Sequence, residues 1–139
     1  MYKNILLAVD GSENSLRAAQ EAIKIASLCD KCMIEVVVVV DFSQAKKEVL
    51  HSQGKEDLEL ARRKKLLPIE EKLKLNNLAY EIKILRGEPG EVIVDYANEG
   101  KFELVVIGSR GLNAVQEMVL GSVSHKIVKR AKCPVLIVK

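Results

Sequence analysis

The sequence predicts an α/β fold in which an open, parallel, five-stranded sheet is covered by helices. Three observations carry this. Five short apolar runs rich in β-branched residues punctuate the chain. Four segments with helical spacing of apolar residues separate them. Alternation of this kind calls for right-handed crossovers between parallel strands.

The first run, Lys3–Val9, closes on Asp10-Gly11-Ser12 and reads as a buried strand and a turn. Ser12 can cap the helix that follows, in which Leu16, Ala19, Ile23, Ala26 and Ser27 recur at helical spacing up to Cys29. The run at 34–40 is almost all valine and isoleucine, as expected of a central strand buried on both faces. The stretch from Asp41 to Asn76 is charged and mostly helical, with an irregular first part to Gly54. From Glu56 onward, Leu58, Ala61, Lys65 and Pro68 share one side, and Leu66, Ile69 and Leu73 another. Pro68 predicts either a kink or a second helix start. Ala79–Leu85 alternates, as a strand nearer a sheet edge does. Gly87-Glu88-Pro89-Gly90 turns into a helix with Val92, Ile93, Tyr96 and Ala97 on its apolar face, and Gly100 suits its C-cap. The strand at 102–107, a glycine segment, a helix from Ser122 to Ala131 and a last strand at 134–138 complete the series.

With 139 residues, 48% hydrophobic and 29% charged, the chain fits one globular domain over 1–139, with no linker, repeat or low-complexity segment. A net charge of +3 does not by itself argue for nucleic acid. No apolar run reaches the roughly 18 residues of a membrane span. Met1-Tyr2-Lys3-Asn4 leads at once into a strand, without a signal-peptide pattern, so a cytoplasmic location is expected. Three cysteines give no disulfide framework.

The most informative segment is Gly108-Ser109-Arg110-Gly111, then nine residues, then Gly121-Ser122. It follows a strand and opens a helix. Glycines admit close approach of a ligand to the backbone. The start of a helix offers unpaired amides and partial positive charge. Together these make a phosphate cradle. Ligands of open α/β sheets bind beyond the carboxyl ends of the strands, where strand order reverses. Were the order 3-2-1-4-5, that point would lie between Val9-Asp10-Gly11-Ser12 and Ile107-Gly108-Ser109-Arg110-Gly111.

These residues resemble the universal stress protein family, over essentially the whole chain. The likeness is carried by Ile5–Ser12, by the paired glycine element, by Val105–Gly111 and by Cys133–Val138. The glycine element looks like the family's ATP-binding signature. The resemblance implies the order 3-2-1-4-5 with helices on both faces, the adenine nucleotide alpha hydrolase-like arrangement, and a homodimer joined through Val135–Val138. It also implies a site for ATP, or for AMP or ADP, with Mg2+ as a companion ion. Main-chain groups of Ala8, Val9 and Val39 would line the adenine end, with Asp10 close to adenine or ribose. Ile107 and Gly108 would pass under the ribose. Arg110, Gly111, Gly121, Ser122 and Val123 would surround the phosphates.

Plainer readings exist for each residue. The glycines could be turn and cap residues, Asp10 a residue at a helix start, Arg110 a solvated charge and Ser122 an ordinary N-cap. Cys29-Asp30-Lys31-Cys32 sits at a helix C-terminus, where the dipole disfavours a reactive thiolate, so the cysteines read as structural. His125 reads as exposed or packing, and His51 carries no signal. The cations from Lys126 to Lys132 read as a solvated face. Neither the P-loop nor the Rossmann glycine pattern is present, and no catalytic constellation can be assigned. The leading expectation is a nucleotide-dependent regulatory dimer in stress response, with a protein partner still to be found. The alternatives are a slow ATPase or phosphoryl-transfer enzyme, in which Asp10 could help to hold metal and His125 could reach a water, and a nucleotide-independent partner-binding dimer. A redox role ranks last.

Overall fold

Five strands alternate with four helices among the residues that the computed structural model describes, 2–41, 55–110 and 120–139. In chain order these are β1 (Asn4–Ala8), α1 (Glu13–Ser27), β2 (Met33–Val40), α2 (Lys55–Leu75), β3 (Ala79–Arg86), α3 (Pro89–Glu99), β4 (Leu104–Gly108), α4 (Ser122–Arg130) and β5 (Val135–Val138). Gly111, the connection 42–54 with His51, and the side chains of Leu58 and Ala61 lie outside the described residues.

All strand pairings are parallel, and the sheet order is β3-β2-β1-β4-β5. The expected topology is therefore the observed one. β1 and β4 lie side by side, with Ile5 opposite Leu104 and Ala8 opposite Ile107. Alternation along them divides the core in two. Ile5, Leu7, Leu104 and Val106 pack with α1 and α2 on one face. Leu6, Ala8, Val105 and Ile107 pack with α3 and α4 on the other. Both faces are covered, which is why these runs read as continuous apolar stretches rather than as alternating ones. β3 is an edge strand, as its alternation indicated.

α1 begins where expected: Ser12 is its N-cap and its side chain accepts a hydrogen bond from the Ser15 amide. Its buried face is Asn14, Ser15, Ala18, Ala19, Ala22, Ile23 and Ala26. This stripe of small side chains lets the helix sit close on the sheet. The helix stops at Ser27, two residues short of Cys29. α2 runs unbroken through Pro68. Proline removes one helical hydrogen bond and crowds the preceding turn, but Leu66, Ile69 and Leu73 are buried around it and hold the helix to the core.

Gly100 does end α3, for a different reason from the one expected. Its φ of −80° is open to any residue. A Cβ there would meet Phe102 Cε2 at 2.5 Å and the Tyr96 carbonyl at 2.9 Å, so the space is what excludes a side chain. Tyr96 in turn hydrogen-bonds Glu35 of β2 through its hydroxyl. Burial, then Glu35, push that phenol up to about 12, so it stays a donor.

At the other end of α3, Glu88 is the N-cap. Its carboxylate accepts from the Gly90 amide at 3.2 Å, the Glu91 amide at 2.8 Å and Lys126 Nζ at 3.2 Å. The amide of Glu91, more than any other group, holds this carboxyl below its ordinary value of 4.5. A carboxyl depressed on folding contributes stability that is complete above the unfolded value and lost as pH falls through the folded one. Glu88→Gln should therefore be less stable than the native chain at neutral pH. The gap should narrow below pH 4.5 in urea titrations.

Candidate functional site

β1 and β4 are neighbours, but the chain leaves them for opposite faces of the sheet, to α1 and α4. A crevice at their carboxyl ends follows from this divergence. Ala8 pairs with both Val37 and Ile107 there, and the Val9 amide donates to the Val37 carbonyl at 3.0 Å. Val39 lies two residues further along β2 and is half-buried. Asp10 is exposed just beyond β1, where its carboxylate accepts from the Ser12 amide at 2.9 Å. Gly11 turns the chain at φ +85°, a conformation that side chains rarely adopt.

The second wall begins at Ile107 and Gly108. A Cβ on Gly108 would lie 2.9 Å from the Asn14 carbonyl carbon and 2.9 Å from its Cβ. Glycine is therefore required here by α1, whatever passes in front of it. Ser109 follows, 8% exposed, and its carbonyl accepts from the Gly121 amide at 2.8 Å and from Ser124 Oγ at 2.9 Å. These two bonds fasten the start of α4 to the end of β4. Arg110 is half-buried, and its Cα lies 3.5 Å from where a Gly121 Cβ would be. The fold thus gathers Ile107, Gly108, Arg110, Gly121, Ser122 and Val123 at one corner. Ala8, Val9, Asp10 and Val39 stand at the neighbouring strand ends. Gly111 lies outside the described residues.

The N-cap of α4 is Gly121, not Ser122, and no side chain among the described residues caps this helix. Ser122 is instead its first residue and is exposed. The hydroxyl below it that does bond, Ser124, is spent on Ser109. The first amides of α4 have no acceptor within the helix. Gly121 itself has φ −60° and ψ 157°, which suits any residue. Among the described residues, a Cβ on it would meet nothing closer than 3.5 Å. No described residue asks for glycine at 121 on steric grounds. Glycine is also a favoured N-cap residue, and its bareness leaves room for something lying against the backbone there.

Several neighbours were not singled out by the sequence. Asn14 packs against Gly108, and Ser124 closes the clamp on Ser109 just described. Lys65 of α2 lays its stem over the first turn, its Cδ 3.2 Å from the Cβ position of Gly11. Along α4, a groove of about 510 Å3 lined by Leu120, Ser122, His125, Lys126, Lys129 and Arg130 adjoins the corner through Ser122. His125 is exposed there, and Lys126 is paired with Glu88 at 3.2 Å. The cysteine pair is away from all of this. Cys29 follows α1, and Cys32 is buried. Burial, then Cys29 and Glu103, push the Cys32 thiol up from 9.0, away from reactivity. No helix among the described residues is long and apolar enough to cross a membrane.

The model of the universal stress protein family matches residues 1–139. The chain belongs to the universal stress protein family. A universal stress protein of Methanocaldococcus jannaschii, MJ0531, is 33% identical over 150 residues, covering 100% of this chain and 83% of that one. Among solved structures, the protein MJ0577 superposes with a TM-score of 0.86 at 29% identity, over 100% of this chain and 96% of that one. A universal stress protein in complex with cAMP superposes with a TM-score of 0.70 at 26% identity, over 99% of this chain and 96% of that one. Membership of the family and the five-stranded fold thus agree with the resemblance read from the glycine element and the strand ends.

The two glycines of this universal stress protein should behave differently. Gly108→Ala drives a methyl into the α1 backbone and should cost about 1–3 kcal/mol of stability. Gly121→Ala meets no described atom closer than 3.5 Å and gives up only a favoured N-cap residue, so it should cost no more than about 1 kcal/mol. Urea unfolding of both variants measures the contrast.

Proposed function

We propose that this chain binds an adenine nucleotide at the carboxyl ends of β1 and β4. The observation that carries the reading is the start of α4, where, among the described residues, no side chain caps the helix and none requires its N-cap glycine sterically. Phosphate oxygens suit such a place, because helix amides and the dipole both favour an anion. A structural relative at 26% identity is in complex with cAMP, an adenine nucleotide, which supports the same ligand class here. Gly121, Ser122, Val123 and Arg110 would hold the phosphates, with Gly111 beside them. Ile107 and Gly108 would face the ribose. Ala8, Val9 and Val39 would present main-chain groups to the base, and Asp10 would stand at the base or ribose. ATP, with Mg2+ on its phosphates, is the form the paired glycine element favours. Chemistry on the nucleotide is not needed for this role.

In this reading the nucleotide regulates a cytoplasmic homodimer that acts in stress response through a protein partner. Support for the dimer comes from β5. It is an edge strand whose four residues are apolar and only half-buried. An uncovered apolar edge invites pairing with another chain. A second copy of β5 would cover it with two-fold symmetry.

Mass spectrometry of small molecules released on denaturing freshly purified protein should show an adenine nucleotide. Gly121→Val keeps a permitted backbone but fills the corner. It should weaken nucleotide binding more than tenfold, about 1.4 kcal/mol, in equilibrium dialysis, while urea unfolding shows only the loss of a favoured N-cap residue, about 1 kcal/mol. Equal affinity in the variant would refute the site. Sedimentation at micromolar concentration should give twice the chain mass, and a single chain mass would refute the β5 dimer.

A further inference from the structure

Ser109 joins four elements. Its amide donates to the Val138 carbonyl of β5 at 2.7 Å. Its carbonyl accepts from Gly121 and Ser124 of α4. Its hydroxyl faces Asn14 Nδ2 of α1 at 3.5 Å. The circuit closes through Arg17, one turn further along α1. Arg17 hydrogen-bonds the Asn14 side-chain carbonyl through Nη2 and donates through Nε to the Lys139 carbonyl at 2.9 Å. The end of β5 is thus gripped twice. Ser109 holds Val138 from the β4 side, and the guanidinium fork holds Lys139 from the α1 side.

The geometry points to a coupling between the phosphate corner and the end of β5, carried by Ser109 and Arg17 as positioning residues. The inference rests on the nucleotide reading above. A ligand anchored on Gly121 and Ser122 fixes the start of α4. That fixes the Ser109 carbonyl, and with it the residue whose amide holds Val138. Arg17 makes the link effective by tying Lys139 to Asn14, the residue against which Gly108 is packed. Without the fork, the end of β5 can fray while Ser109 stays in place. The side chain of Arg17 is 46% exposed, so replacing it opens no cavity. Its further contact with Glu13, at 3.9 Å and exposed, contributes little.

The test is hydrogen–deuterium exchange of a peptide covering residues 133–139, with and without ATP or AMP, in the native chain, Arg17→Gln and Arg17→Lys. Protein is kept at a concentration where sedimentation gives one mass with and without nucleotide, so that dimer formation does not enter. Nucleotide should slow exchange in the native chain by at least about fivefold, the low end of ordinary coupling factors. In both variants the slowing should be lost. Because the frayed state is the minor one, nucleotide affinity by dialysis should stay within about twofold of native. Lysine keeps the charge but not the fork, so native slowing in Arg17→Lys would overturn the role of the fork. Equal slowing in Arg17→Gln, or none in a native chain that binds nucleotide, would overturn the coupling and leave the binding site standing. A native chain that binds no nucleotide would remove both, and the dialysis arm shows this separately.

Discussion

The close approach of α1 to the last residue of β4 is the constraint from which the rest of this corner follows. Gly108 leaves no room for a Cβ between itself and Asn14. Small residues continue that contact along α1, at Ser15, Ala18, Ala19 and Ala22. With the helix drawn in, Ser109 is buried, and a buried carbonyl needs donors. The Gly121 amide and Ser124 hydroxyl supply them. The start of α4 is thereby set at the mouth of the crevice between β1 and β4. Packing on one face of the sheet thus positions a helix end on the other.

Much of this could be read from the residues alone. The strand runs, their order once the family likeness was seen, the Ser12 cap and the edge position of β3 all rest on patterns that local physics dictates. The residues alone left open what tertiary contacts decide. Pro68 is a strong local breaker, yet α2 passes through it because Leu66, Ile69 and Leu73 are buried on the core. Ser122 looked like a cap because serine usually is one, but the chain enters α4 one residue earlier, at Gly121. Arg17 gave no signal at all. Its two hydrogen bonds run to a neighbouring side chain and to a main-chain carbonyl 122 residues away, and neither has a sequence pattern.

The glycines show why a motif underdetermines its own reasons. Gly11 is required by its positive φ, Gly100 by Phe102 and Tyr96, and Gly108 by α1. Each would be glycine in a protein that bound nothing. Gly121 differs, since neither its backbone angles nor the described residues around it exclude a side chain. A motif match treats Gly108 and Gly121 alike. The structure separates the one that holds the fold together from the one that no described neighbour requires sterically.

The caps make the same distinction energetically. Ser12 satisfies the start of α1 and Glu88 that of α3, each with its own side-chain oxygen. α4 has no such oxygen at its cap. Glycine in place of serine or aspartate at an N-cap costs only a few tenths of a kcal/mol, roughly, because water reaches the bare amides. A helix end can therefore be kept open for an anion at almost no expense to stability. The fold offsets even that small loss by pinning Gly121 through its own amide to Ser109. The Gly121 amide is used for structure, and the amides that follow it have no acceptor within the helix. An anion bound there, as proposed, would meet a helix start already held in position by β4, so little ordering would remain for it to impose.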